Sequence, residues 1–328
     1  MLNSQLKATN TQPDPPTSLT PGGIADFVGN TPLVQLREIT KGLSPNVRVF
    51  AKAEWFNPGG SIKDRPALNI IRTAIANGSL AGGKRLLDST SGNMGIAYAT
   101  FGAALGVPVT LTIPGNASPE RISILRALGA ELVLTDPLEG SDGAQIVAKK
   151  MVAEHPDIYF YANQYDNPAN WQAHYKTTGP ELVAQTDGRI THFVVGLGTT
   201  GTLTGTGRYL KEYNAAIELV ALQPDAPFHA LEGLKHIPSA IKPGIFDPSQ
   251  PDCTLEIGSE AAREMVRRLA REEGLFVGIS SGAAAVGALE VAAGLESGVI
   301  VTVFPDAGYK YLSDSSLWDD PQDMSYSI

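Results

Sequence analysis

Asn57-Pro58-Gly59-Gly60-Ser61-Ile62-Lys63-Asp64-Arg65 sets a turn, a helix start and one lysine side by side. Asn-Pro-Gly-Gly is a turn signal, because proline fixes φ and the glycines admit positive φ and close backbone approach. Ser61, with Asp64 three residues on, has the pattern of a helix N-terminal cap. That pattern places Lys63 in the first helical turn, where the positive end of the helix dipole disfavours an ammonium ion. A lysine so placed shifts toward its neutral, nucleophilic amine, the form that condenses with an aldehyde cofactor as a Schiff base. Pro66 suits this helix only because it falls near the start.

Outward from this stretch, strand and helix patterns alternate. A strand is expected at 47–52, and the helix after Lys63 runs through Ile70, Ile71 and Ile75 to stop at Asn77-Gly78. Strands follow at 85–88, 107–113, 131–135, 158–162, 192–197, 217–222 and 299–304. Helices fall at 94–105, from Ser118-Pro119-Glu120 to Gly129, and at 143–155, 202–213, 260–273 and 283–295. The stretch 169–185 reads as helical but broken at Gly179-Pro180, and 223–255 as irregular and proline-rich. Repeated βα units predict an α/β fold of mostly parallel sheets with helices on both faces.

Composition narrows the classes. The 328 residues can build two domains, and 43% hydrophobic with 18% charged residues suits a compact protein. With a net charge of -9 and no Lys/Arg run, no nucleic-acid partner is expected. No apolar run is long enough to predict a membrane span. One cysteine, Cys253, allows no internal disulfide and fits a reducing, cytoplasmic compartment. Residues 1–22, rich in Thr, Pro, Asn and Gln, read as a disordered lead. The five histidines show no metal-ligand spacing, so no metal is expected.

Sites in such folds lie beyond the carboxyl ends of the strands, so the strand-to-helix turns carry the chemistry. Ser89-Thr90-Ser91-Gly92-Asn93 offers hydroxyls, an amide and free N–H groups at a helix start, a cup for a carboxylate. Gly196-Leu197-Gly198-Thr199-Thr200-Gly201-Thr202 lets the backbone approach an anion and adds three hydroxyls, a natural phosphate nest. The same glycines match the dinucleotide pattern, and Asp225 stands about 20 residues on, where a ribose-binding acid belongs. A nicotinamide oxidoreductase is therefore the rival. The threonines suit a monophosphate better, and the rival gives Lys63 no role. Gly278-Ile279-Ser280-Ser281-Gly282 opens a further helix. An aldehyde needs a lysine, a phosphate needs a nest and an amino acid needs a carboxylate cup. Pyridoxal 5'-phosphate, acting on an amino-acid substrate, meets all three.

Taken with Gly29-Asn30-Thr31-Pro32-Leu33, Gln164 to Asn170 and Pro305-Asp306-Ala307-Gly308, these motifs span 29–313. In that order they resemble the cysteine synthase/cystathionine β-synthase family, pyridoxal-phosphate fold type II (tryptophan synthase β-like). The cysteine synthase B branch is the nearest in pattern. The resemblance implies two three-layer αβα domains, 23–34 plus 57–167 with the lysine and 35–56 plus 168–328 with the phosphate loop. It also implies a homodimer. Lys63 would hold the cofactor and move the Cα proton, and Asn93 would bind the cofactor's phenolic oxygen. Gly198, Thr199, Thr200, Gly201 and Thr202 would cradle its phosphate, and Ser280 would contact its ring nitrogen. Thr90, Ser91, Gly92, Asn93 and Gln164 would bind the substrate, with Gly233 in a loop lining the mouth.

The implied reaction is β-replacement on an activated L-serine, O-acetylserine or O-phosphoserine, giving L-cysteine. The sulfur comes from sulfide or the thiocarboxylate of a small carrier protein. The implied alternative keeps the chemistry but changes the nucleophile, as in diaminopropionate-precursor synthases or cystathionine β-synthases. Two departures bear on the substrate. Met94 stands where family members commonly have threonine, and 212–262 lacks the arginine of phosphoserine users. An acid at Asp225 facing the pocket would repel a phosphate, which favours O-acetylserine. Residues 319–328 form an acidic tail ending Met324-Ser325-Tyr326-Ser327-Ile328; because members of the family it resembles bind partner tails ending in isoleucine, this tail is expected to visit its own or a neighbour's active site.

Overall fold

The computed structural model describes residues 22–90 and 92–318. The expected disordered lead (save its last residue), Ser91 of the carboxylate cup and the C-terminal tail lie outside the described residues.

Along the chain come β1 (Leu33–Leu36), β2 (Asn46–Ala53), α1 (Asp64–Ala76), β3 (Arg85–Ser89) and α2 (Asn93–Leu105). Next are β4 (Val109–Pro114), α3 (Pro119–Ala127), β5 (Glu131–Thr135), α4 (Gly140–Glu154), β6 (Tyr159–Tyr161), α5 (Pro168–Lys176) and α6 (Thr178–Gln185). The remainder is β7 (His192–Gly196), α7 (Gly201–Tyr213), β8 (Glu218–Pro224), β9 (Cys253–Ile257), α8 (Ser259–Glu272), α9 (Ile279–Ala293), β10 (Ser297–Phe304) and α10 (Ser315–Trp318).

The strands form two sheets. One has six strands in the order β1-β2-β10-β7-β8-β9, the other four in the order β5-β4-β3-β6. All neighbours are parallel except β1 with β2. Parallel strands need crossover connections, and these put helices on both faces, as the alternation predicts. The six-stranded sheet packs α8 and α9 on one face, through Met265, Val266, Ala283 and Ala288. The other face packs α6 and α7, through Leu182, Leu203 and Leu210. On the smaller sheet, α1, α2 and α3 bury Ile70, Ile71, Phe101 and Leu125 against Leu86 and Leu111. Helix α8 shows why such helices form. Its buried residues Ala262, Met265, Val266 and Leu269 recur at helical spacing. Each large one contributes about 1.5–3 kcal/mol when fully buried.

Four expectations change. Ser61 does not cap α1: it forms an isolated antiparallel bridge with Asp306, and α1 begins at Asp64. Lys63 thus stands at the helix's edge, not inside its first turn, because Ser61-Ile62 is held to the end of β10 by the Ile62 N–H bond to Pro305 O. The break in 169–185 falls at Thr177, whose φ of −125° leaves the helix. Gly179-Pro180 lies instead in the first turn of α6, where a proline costs no hydrogen bond. At the end of the stretch 223–255, strand β9 begins and pairs with β8, hidden in the sequence by its short, partly exposed pattern. Helix α9 starts four residues earlier than 283, with Ser280 and Ser281 in its first turn.

Candidate active site

A cleft of about 150 Å³ opens between the two sheets, beyond the carboxyl ends of β3, β7 and β10. It is lined by Lys63, by the β3–α2 turn and by the β7–α7 loop, so the topology brings together motifs far apart in sequence. Three things hold the lysine turn. Gly60 N–H donates to Asn57 O at 2.8 Å. Gly59 N–H donates to the Asp64 carboxylate. The buried Lys310 ammonium donates to Gly60 O at 3.1 Å. Burial lowers the Lys63 amine to about 8, with the Asp306 charge pulling the other way. Desolvation, rather than the helix dipole, is what makes this lysine nucleophilic.

Thr90, Gly92, Asn93 and Gln164 line the same cleft, with Asn93 joined to the lysine turn through Lys310. Thr90 Oγ1 accepts the N–H groups of Gly92 and Gly95, both at 3.1 Å, and so caps the start of α2 while keeping its own proton to donate. Gln164 Nε2 donates to Ser89 O at 2.7 Å, which fixes its amide. The Asn93 amide is pinned between Asp306 Oδ2 at 2.7 Å and Lys310 Nζ at 2.7 Å. Beneath the cup lies Asp88, fully buried, accepting from Tyr98 OH at 2.9 Å. Burial raises its carboxyl to about 7 against the hydrogen bonds that favour the ion.

The β7–α7 loop is shaped for an anion. Thr200 takes φ 68°, turning the chain into the N-terminus of α7. A Cβ on Gly201 would lie 2.0 Å from Asn170 Oδ1, and one on Gly198 2.4 Å from Gly233 O. Only glycine fits either place. Asn170 Nδ2 donates to Thr199 Oγ1 at 3.1 Å, and His174 Nε2 lies 3.4 Å from Thr202 Oγ1. Burial pushes His174 well below its usual range, so it is neutral. Thr200 Oγ1 is buried and has no hydrogen-bond partner among the described residues. An unpartnered hydroxyl at a helix N-terminus, with free N–H groups beside it, fits a phosphate. Ser280 lines the same cleft from α9, and Gly233, at φ 85°, lines its mouth.

Asp225 is not among the residues lining the cleft and is exposed, so it is neither a ribose-binding acid nor a guard of the pocket. The sequence assigned no role to Asp88, His174 or Arg121, and Asn170 figured in it only as the end of the Gln164 to Asn170 motif. Asp88 lies in β3 beside its turn, but Arg121 lies in α3 and Asn170 and His174 in α5, so no local pattern marks them out.

A buried lysine of lowered basicity and an unpartnered anion nest line one cleft, and these residues fit pyridoxal phosphate. The sequence pattern of the family "Pyridoxal-phosphate dependent enzyme" matches residues 24–306, and the chain belongs to that family. It is 52% identical over 302 residues to the cysteine synthase of Aquifex aeolicus (strain VF5), covering 90% of this chain and 92% of the relative. It is 43% identical over 296 residues to cysteine synthase B of Pseudomonas aeruginosa, covering 90% and 97%. Among solved structures, the cysteine synthase (OASS) of Entamoeba histolytica superposes with a TM-score of 0.87 at 34% identity, covering 96% of each chain.

Proposed function

We propose that this chain makes L-cysteine by β-replacement on an activated L-serine, O-acetylserine or O-phosphoserine, with a sulfur nucleophile. The observation that carries the reading is one cleft holding Lys63, the carboxylate cup and the phosphate nest together. Lys63 Nζ would hold the cofactor aldehyde and then move the substrate Cα proton, a role worth about 10²–10⁴-fold. Asn93 would hold the ring hydroxyl and Ser280 the ring nitrogen. Thr199, Thr200 and Thr202, with the N–H groups from Gly198 to Gly201, would hold the phosphate. Thr90, Ser91, Gly92 and Gln164 would orient the substrate carboxylate. Bound pyridoxal phosphate supplies the electron sink that acidifies Cα–H and loosens the β substituent. The neutral Ser280 tempers that sink, favouring loss at Cβ over transamination.

The reading extends to a cytoplasmic homodimer using sulfide or a carrier-protein thiocarboxylate. It includes two domains, 23–34 plus 57–167 and 35–56 plus 168–328, closing on the cleft. Among the described residues no helix is long and apolar enough to cross a membrane.

The test is the near-visible spectrum. The purified protein is expected to absorb as lysine-bound pyridoxal phosphate does, to shift on adding O-acetyl-L-serine, and to yield cysteine once sulfide is added. A protein that takes up no pyridoxal phosphate would sink this reading.

Thr202→Val is expected to weaken cofactor binding about tenfold, the loss of one hydrogen bond to a charged group. Fluorescence titration of the apoprotein measures it, with far-ultraviolet dichroism unchanged. Equal affinity would remove Thr202 from the nest.

A further inference from the structure

Two ion pairs of opposite polarity span the mouth of the cleft. Arg121, on α3 beside the smaller sheet, pairs with Glu232 in the loop between β8 and β9. Three residues on in that loop, Lys235 pairs with Asp142 of α4 at 3.4 Å. The cations are the buried members, with side chains 5% and 11% exposed, whereas Glu232 and Asp142 are 51% and 39% exposed. Arg121, Glu232 and Lys235 line the cleft itself. The Arg121 guanidinium lies over the Tyr311 ring, 5.1 Å from its centre. It also lies against the carboxylate cup: a Cβ on Gly92 would be 3.1 Å from its Cζ. A guanidinium resting on the cup, beside the reacting lysine's cleft, is a ready receptor for a second anion on the substrate. Here it already holds a carboxylate from the opposite wall.

The two activated serines differ in charge where they differ in structure. An acetyl ester is neutral, whereas a phosphate monoester carries about −1.5 to −2 at pH 7. To reach Arg121, a phosphate must approach Glu232 and displace it, and like charges brought together cost several kcal/mol. An acetyl group makes no such demand.

We infer that Glu232 is a specificity-determining residue: by masking Arg121 it sets the cleft for a neutral leaving group and against a phosphorylated one. The inference rests on the β-replacement reading. It replaces Asp225, which lies away from the cleft, with an acid that lines it.

The experiment compares the holoenzyme with its Glu232→Gln variant, measuring kcat/KM for O-phospho-L-serine and O-acetyl-L-serine with sulfide as second substrate. The phospho-to-acetyl ratio is expected to rise at least about tenfold as the like charge is removed. Inorganic phosphate should inhibit the variant, competitively with O-acetylserine, at least about tenfold more strongly. Adding Arg121→Met should return both values toward the parent's, which a general loosening of the mouth would not do. Should that double variant fail to fold, phosphate inhibition of the single variant still decides. A ratio and an inhibition constant both within about threefold of the parent's would overturn the masking role and leave the β-replacement reading standing. If the parent makes cysteine from neither ester, the functional reading itself falls, and this inference with it.

Discussion

Replacing Lys63 with alanine is expected to lower turnover of O-acetylserine by at least about 10³-fold and to leave pyridoxal phosphate removable by dialysis. No other lysine can substitute in place. Lys310 is committed to Gly60 O and Asn93 Oδ1, and Lys235 is held by Asp142. The same residue sets a pH dependence. Burial brings the Lys63 amine down to about 8, partly offset by the charge of Asp306. Above pH 8 the folded protein presents a free amine, while an ordinary lysine stays protonated until about 10.4. Capture of pyridoxal phosphate by the apoprotein should therefore accelerate with rising pH to a midpoint near 8. Absorbance after mixing would show it, and a midpoint near that of free lysine would contradict the burial argument. A chain that kept its function as Lys63→Ala would be a scaffold, not a catalyst.

Arg65→Met should cost about 3–5 kcal/mol of stability, because it strands buried carboxylates. Arg65 Nε and Nη2 donate to Glu54 at 2.8 Å, and Nη1 donates to Glu181 at 2.6 Å. Arg65 and Glu54 side chains are wholly buried, and Lys52 adds a second cation to Glu181 at 2.6 Å. The network ties the start of α1 to the end of β2 and to α6. It therefore braces the lysine turn from behind. Burial raises the Glu181 carboxyl, and the hydrogen bond and charge of Arg65 outweigh it, bringing the group down to about 2. A carboxyl depressed in the fold stabilises above its unfolded value and loses that contribution as pH falls. The stability gap between parent and variant, from urea titrations, should thus be full at neutral pH and narrow between about 4.5 and about 2. A gap that is small at pH 7 would show the network to be dispensable.

How much of this was legible in the sequence depended on range. The β3–α2 and β7–α7 turns stood out because glycine, serine and threonine at a strand end have few other reasons to cluster. Ser118-Pro119 was legible for a local reason too: a cap and a first-turn proline act within one helical turn, and Ser118 does accept from Arg121 N. Ser61 carried an equally good local signal and was overridden, because its bridge to Asp306 comes from a strand end 245 positions away. Asp306 was visible as part of a motif but not as the partner of Asn93 and Tyr311. That role depends on which loops the sheets bring together. The desolvation that tunes Lys63 was hidden for the same reason, since burial belongs to the whole fold.

The strand order of the larger sheet also sets a timetable for assembly. Strand β10 lies between β2 and β7, and residues 297–304 register against 46–53. During synthesis, the smaller sheet's strands, all within 85–161, emerge together and can pair early. The larger sheet has its middle place empty until almost the whole chain has been made. Until then β2 and β7 each present an unpaired parallel edge, the kind of surface on which nascent chains associate wrongly. The last long strand to leave the ribosome is thus a keystone. Its arrival completes the core and, through Pro305 and Asp306, brings the lysine turn to its working place.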